Sequence, residues 1–252
     1  MNRLSYRRFA IGMFVAPLLL GLAACGGSKD AGEAVSGEPI AKIAPPEGKQ
    51  WTDVVSTTEQ GGYVMGNPDA PIKLIEFASL TCSHCAHFAE ESGVELKQDF
   101  VNSGRVSYEF RNFVRDGIDL TAAQLTRCGT PESFFALTDQ VFAYQAQIFE
   151  KAQSAGDAAF SAAMSQPEEK RGVALAQLTG LLDYFAARGI SREQATQCLS
   201  DASQAQKLAK LTEAQGTEYS IQGTPTFLVN GQKMESSGWP EVKARLETLG
   251  AR

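Results

Sequence analysis

The sequence predicts an α/β fold in which a mixed β-sheet is divided by an all-helical insertion. Three observations predict it. An apolar strand pattern, Ile72 to Phe77, runs into a helical pattern that opens at Cys82. From Thr121 to about Tyr219 the chain contains little but helix formers. Strand character and a hairpin turn then return at residues 225–234. Strands on both sides of a helical block, with a helix directly after the first strand, belong to the α/β or α+β classes with a mixed sheet.

The first residues read as an export signal. Arg3, Arg7 and Arg8 precede an apolar run from Phe9 to Leu22, and the small residues Ala23 and Ala24 follow. That pattern marks residues 1–24 as a secretory signal peptide, and the apolar run is short for a membrane span. Leu22-Ala23-Ala24-Cys25 resembles a bacterial lipobox, which implies lipidation of Cys25. The alternative is ordinary cleavage that leaves Cys25 a spare thiol. Residues 25–59 are expected to form a lipidated, disordered tether, because Gly26 to Pro46 is rich in Gly, Ala, Ser, Glu and Pro and has no apolar periodicity. Losing residues 1–24 removes three arginines and no acid, which takes the formal charge from −6 to −9. With no basic cluster in the body of the chain, a nucleic-acid partner is not expected.

The prolines of Asn67-Pro68-Asp69-Ala70-Pro71 predict an extended turn before the first strand. From Cys82, the positions Cys85, Phe88, Ala89, Leu96 and Phe100 predict a helix to about Asn102, ended by Ser103-Gly104. Val106 to Phe110 predicts a second strand. Within the insertion, Phe134, Phe135, Leu137, Val141, Phe142 and Ile148 predict one amphipathic helix. Leu175, Leu178, Leu181, Leu182 and Phe185 predict another beyond a break at Pro167. Ser191 opens a third helix, and Ala202 to about Thr217 forms a fourth. Pro225 to Val229, the turn Asn230-Gly231 and Gln232 to Met234 predict a hairpin. A terminal helix follows from Pro240 to Leu249, with proline at a permitted first-turn position.

The five cysteines sort by position. Cys25 belongs to the export signal, and Cys82 and Cys85 form a C-x-x-C. In an exported protein, Cys128 and Cys198 can pair without leaving an odd thiol in the folded domain, so a structural disulfide between them is expected. Free thiols or a second redox pair are the alternatives. A thiolate, not a thiol, attacks a disulfide. A helix N-terminus carries partial positive charge and unsatisfied N–H donors. Cys82, at such a position, is therefore the expected exposed nucleophile. Cys85, one turn on and facing inward, is the expected resolving thiol. His84 lies between them, where its ring can offer a hydrogen bond or a charge to the Cys82 anion. His87 is taken as a surface residue.

The order of elements, the run Ile75 to Cys85 and the segment Gly223-Thr224-Pro225 before the late hairpin together resemble the DsbA-like branch of the thioredoxin superfamily. The resemblance covers roughly residues 60–250. It implies a thioredoxin fold with an inserted all-helical domain: residues 60–120 and 220–252 as its two parts, and residues 121–219 as the insertion. It implies that Glu76, six positions before Cys82, is a buried acid that moves protons when Cys85 reacts; without the resemblance, Glu76 is a solvent-facing strand residue beside Lys73. It also implies a cis Thr224-Pro225 bond next to the reactive thiol, with Thr224 and Pro225 pairing an extended substrate peptide. Ser83 stands where many members have proline.

The expected function is thiol–disulfide exchange, in the direction of a dithiol oxidase that forms disulfides in exported proteins. Reductase or isomerase activity with the same thiols is the first alternative. A metal-binding protein using Cys82, His84, Cys85 and His87 is the second, although no metal site or cofactor is expected. The partners implied are reduced or misoxidised exported proteins and a membrane redox protein that recycles the thiols. The expected state is a monomer anchored by lipid in the periplasm or cell envelope.

Overall fold

Strand β3 (Ile72–Ala78) forms where the apolar run predicts it, and it lies in the interior of the sheet. In the computed structural model, which describes residues 37–252, it is flanked by β4 (Val106–Asn112) and β5 (Thr226–Val229). The signal peptide and Cys25 lie outside the described residues. The β3–β4 pair is parallel, with Ile72 opposite Val106 and Ala78 opposite Asn112. The β3–β5 pair is antiparallel, with Glu76 opposite Phe227. Two more strands, β1 (Val55–Thr57) and β2 (Tyr63–Gly66), extend the β4 side, and β6 (Gln232–Lys233) closes the other edge. The order is β1-β2-β4-β3-β5-β6. Asn230 and Gly231 both have positive φ, 49° and 79°, as the two-residue turn between β5 and β6 requires.

Helix α1 (Ser83–Glu95) follows β3 after a four-residue link and runs directly into a π-helical turn, Leu96–Val101. The parallel crossover to β4 is therefore a β–α–β unit, with the reactive cysteines at the C-terminal end of its first strand. The insertion contains α2 (Gly117–Thr126), α3 (Phe134–Ala143), α4 (Gln145–Met164), α5 (Glu168–Leu178), α6 (Leu181–Ala186), α7 (Arg192–Ser200) and α8 (Ala202–Glu218). Helix α9 (Trp239–Thr248) is terminal. Two single helices expected from periodicity are divided. Tyr144 separates α3 from α4, and Gly180, left-handed at φ 71°, separates α5 from α6. Periodicity continues across such joints because both pieces bury one face on the same core. Ser191 caps α7 by accepting from the Gln194 N–H.

The insertion is fastened to the sheet by aromatic packing. Phe134 stacks on Tyr63 with ring centroids 3.8 Å apart and meets Phe110 edge-on at 5.7 Å. The Cys128–Cys198 disulfide ties the segment after α2 to α7, with Cα atoms 5.9 Å apart.

Residues 37–59 differ from the disordered reading. The Trp51 side chain is buried and donates from Nε1 to the Ile43 carbonyl (2.8 Å). β1 pairs with β2 in register Val55–Met65. Gly37 and Ile40 donate backbone hydrogen bonds to Thr248 and Gly250. Gly104, at φ 73°, makes room for this arm: a Cβ there would lie 2.6 Å from the Ile43 carbonyl oxygen and the Trp51 ring nitrogen. The polar composition hid this because a few anchors, Ile40 and Trp51 among them, hold a segment whose other residues face water.

Candidate active site

Cys82 is the N-cap of α1, with extended backbone (φ −90°, ψ 120°). Its Sγ lies 3.1 Å from the Thr224 carbonyl oxygen, to which the thiol donates. The Thr224-Pro225 bond is cis. Cys82 and Cys85 are both unbridged thiols. The Cys82 thiol is held down at about 4. A hydrogen bond from Cys85 is the main cause, and burial opposes it. The Thr224 side chain and the backbone N–H groups of Cys85 and His84 add to the stabilisation of the anion. His84 thus acts on Cys82 through its peptide N–H at the start of the helix, and its side chain is exposed. Cys85, fully buried, is pushed up by burial, by Cys82 and by the charge of Glu76. The two sulfurs are therefore unequal. Cys82 is 5% exposed, not the exposed nucleophile the sequence suggests, because the cis-proline loop sets the Thr224 carbonyl against it; its sulfur ionises easily at the start of the helix, and that of Cys85 is held neutral further inside.

Glu76 is 1% exposed beneath the pair. It does not face solvent beside Lys73, whose Nζ bonds to the Pro68 carbonyl. Burial pushes the Glu76 carboxyl up to about 8, against a hydrogen bond from Tyr108. His87 is exposed and faces Glu91 one turn on (3.4 Å). Among the described residues, no group of three or more His, Cys, Asp or Glu side chains is placed to hold a metal ion.

The link before Cys82 is held by side chains of the insertion. Gln145 Nε2, buried, donates to the carbonyls of Leu80 (2.9 Å) and Cys82 (3.1 Å). Asp119, fully buried and pushed up to about 7 by burial, accepts from the Leu80 N–H (2.8 Å). Asp116 caps α2 and accepts from the Thr81 hydroxyl (2.8 Å). Sequence reasoning missed all three, and Tyr108 as well. Their contacts join residues 32 to 65 positions apart. Only Asp116 carries a local signal, as an acid just ahead of a helix.

A C-x-x-C at the start of the first helix, facing a cis-proline loop from a later hairpin on a β3-centred mixed sheet, defines a thiol–disulfide oxidoreductase. The chain belongs to the thioredoxin family, whose model, described as Thioredoxin, matches residues 58–248. It is similar to the crystal structure of a protein-disulfide isomerase from Novosphingobium aromaticivorans, at 36% identity, TM-score 0.70, over 73% of this chain and 97% of that one. A Rickettsia bellii relative named "putative protein-disulfide oxidoreductase" is 27% identical over 80% of this chain and 69% of its own length. Wolbachia pipientis α-DsbA1, at 24% identity, TM-score 0.58, over 74% of this chain and 89% of that one, shares the fold. Within the family, the chain is a thiol–disulfide oxidoreductase, and its fold, helical insertion included, is that of the Wolbachia structure.

Proposed function

We propose that this protein is a dithiol oxidase that forms disulfides in exported proteins, with Cys82 as nucleophile and Cys85 as resolving thiol. The observation that carries the reading is the Cys82 sulfur at the N-cap of α1, with its thiol depressed to about 4. A stable thiolate favours the dithiol form, and the disulfide form becomes correspondingly more oxidising. A substrate thiolate attacks Cys82 Sγ of the oxidised pair, a substrate–Cys82 bond forms and the Cys82–Cys85 bond breaks. The Cys85 sulfur leaves with the electron pair and takes a proton, for which the buried Glu76 carboxyl is the donor. A second substrate thiolate then attacks the substrate sulfur bound to Cys82, the substrate disulfide forms, and Cys82 departs as its favoured anion. Thr224 and Pro225, beside Cys82, are the residues against which an extended substrate segment would lie.

Export by the residue 1–24 signal, lipidation of Cys25, a place in the periplasm or cell envelope, monomeric action and recycling by a membrane redox partner complete the proposal on sequence grounds. A second reading, isomerase, is favoured by the name of the 36%-identical relative from Novosphingobium. Equilibrating the full chain with glutathione buffers separates the readings, paired with dithiol-oxidation, insulin-reduction and scrambled-substrate assays. The oxidase reading expects a pair reduced by mildly reducing glutathione and fast dithiol oxidation, both lost in Cys82→Ala. A strongly reducing pair, or oxidation that survives Cys82→Ala, overturns it.

A further inference from the structure

Among the described residues, the buried acid behind the cysteines is not paired with a cation. Glu76 Oε2 accepts from the Tyr108 hydroxyl, and Oε1 is buried with no hydrogen-bond partner among the described residues. The two side chains share a face of the sheet. Leu74 lies opposite Tyr108 in the parallel pair, and Glu76 is two residues along on the same side. The ring packs against Phe135, with centroids 5.5 Å apart. Other charged and titratable groups acting on the carboxyl are Asp139 on α3 and Cys82 on α1, and the charge of Glu76 in turn raises Cys85. Lys97, in the π-helical turn after α1, is engaged by Asp139. Strand β5 contributes the apolar Phe227 opposite Glu76.

We propose that Tyr108 is a positioning residue for the resolving step: its hydroxyl holds one carboxyl oxygen of Glu76, so that the other, unpartnered oxygen exchanges the proton of Cys85. This deepens the functional reading above and rests on it. When Cys85 leaves, the neutral carboxyl gives it a proton and Tyr108 donates to the carboxylate that results. When Cys85 attacks a mixed disulfide on Cys82, the carboxylate takes the thiol proton. The Cys85–Cys82 bond then forms, the Cys82–substrate bond breaks, and the electron pair departs on the substrate sulfur. A phenol is suited to this place because it steadies the anion without neutralising it. A buried cation would pin the carboxylate and remove its ability to give a proton near neutral pH.

The test is the pH profile of resolution, followed as release of a chromogenic thiol from a mixed disulfide preformed on Cys82. A hydrogen bond to the carboxylate lowers its ionisation midpoint, so Tyr108→Phe should move the profile upward by about one pH unit or more. Difluorotyrosine at position 108, a stronger donor of nearly the same size, should move it downward and keeps the test open if the phenylalanine variant fails to fold. The ultraviolet titration of the Cys82 thiolate should stay within a few tenths of a unit in both. A profile left in place by the folded variants overturns the role of Tyr108, provided Glu76→Gln abolishes the pH step. A step that survives Glu76→Gln overturns the acid's role as well.

Discussion

Cys82 and Cys85 are three positions apart, yet the fold pushes their acidities in opposite directions. That division has a consequence for stability. In the folded dithiol form Cys82 ionises at about 4, whereas a loose cysteine ionises near 8.5. Between these values the unfolded chain binds the extra proton, so this contribution to stability rises with pH, is complete above about 8.5, and is lost as pH falls through about 4. Glu76 and Asp119, both raised, work the other way. Their folded forms keep protons that the unfolded chain releases, so they weaken the fold as pH rises toward 8 and 7. Asp119 acts in dithiol and disulfide forms alike, and so does burial, the main cause at Glu76. The stability of the dithiol form relative to the disulfide form should therefore grow by up to about tenfold in the folded-to-unfolded ratio per pH unit between pH 5 and 8. Denaturant unfolding of both forms across that range checks it, and a flat difference would show that Cys82 ionises normally.

At the level of elements, the active-site link is shared between two parts of the fold. β3 and α1 supply its ends, and the insertion supplies the side chains that fix its backbone. Gln145, at the first position of α4, satisfies two carbonyls at once. Gln145→Leu keeps the bulk and removes both donors, one of them serving a carbonyl that also receives the Ala86 N–H. The expected loss is about 1–3 kcal/mol of unfolding free energy, with a lower rate of exchange. Calorimetry and the dithiol-oxidation assay would detect them. Asp116 links the start of α2 to Thr81 by the same logic. An Asp116→Ala change should cost about 1 kcal/mol through the lost cap, whereas Asp116→Asn should retain most of it. An Asp116→Ala variant as stable as the parent would mean that the Asp116 cap contributes little.

The whole molecule couples an N-terminal arm, a sheet and a helical insertion. Residues 37–43 lie along the end of the sheet where β3 and β4 begin: Ile43 donates to the Ser103 carbonyl, and Ile72 to the Arg105 carbonyl. The cysteines lie at the other end, after β3 has run its seven residues. The Cys128–Cys198 bridge spans 70 positions within the insertion. Closing so long a loop restricts the unfolded chain, and replacing both cysteines by alanine should lower stability by about 2–4 kcal/mol. The Cys82 thiolate titration should be unchanged. A denaturation midpoint equal to that of the parent would show the bridge to be neutral.

What the sequence determined by itself was local or periodic. The apolar run of β3, the C-x-x-C opening a helix, the Asn230-Gly231 turn and the Ser191 cap all draw on neighbours within a few residues, so their chemistry can be read in order along the chain. The cysteine inventory also pointed to the Cys128–Cys198 pair, because few combinations exist. Tertiary structure decided the rest. It placed Tyr108 on Glu76, Gln145 on the Cys82 carbonyl and Trp51 in the core, contacts between residues whose identities carry no mark of their partners. It also decided how acidic each sulfur is. That property depends on the hydrogen bonds each sulfur makes and on how deeply it is buried, and both are complete only once distant strands and helices have closed over the site.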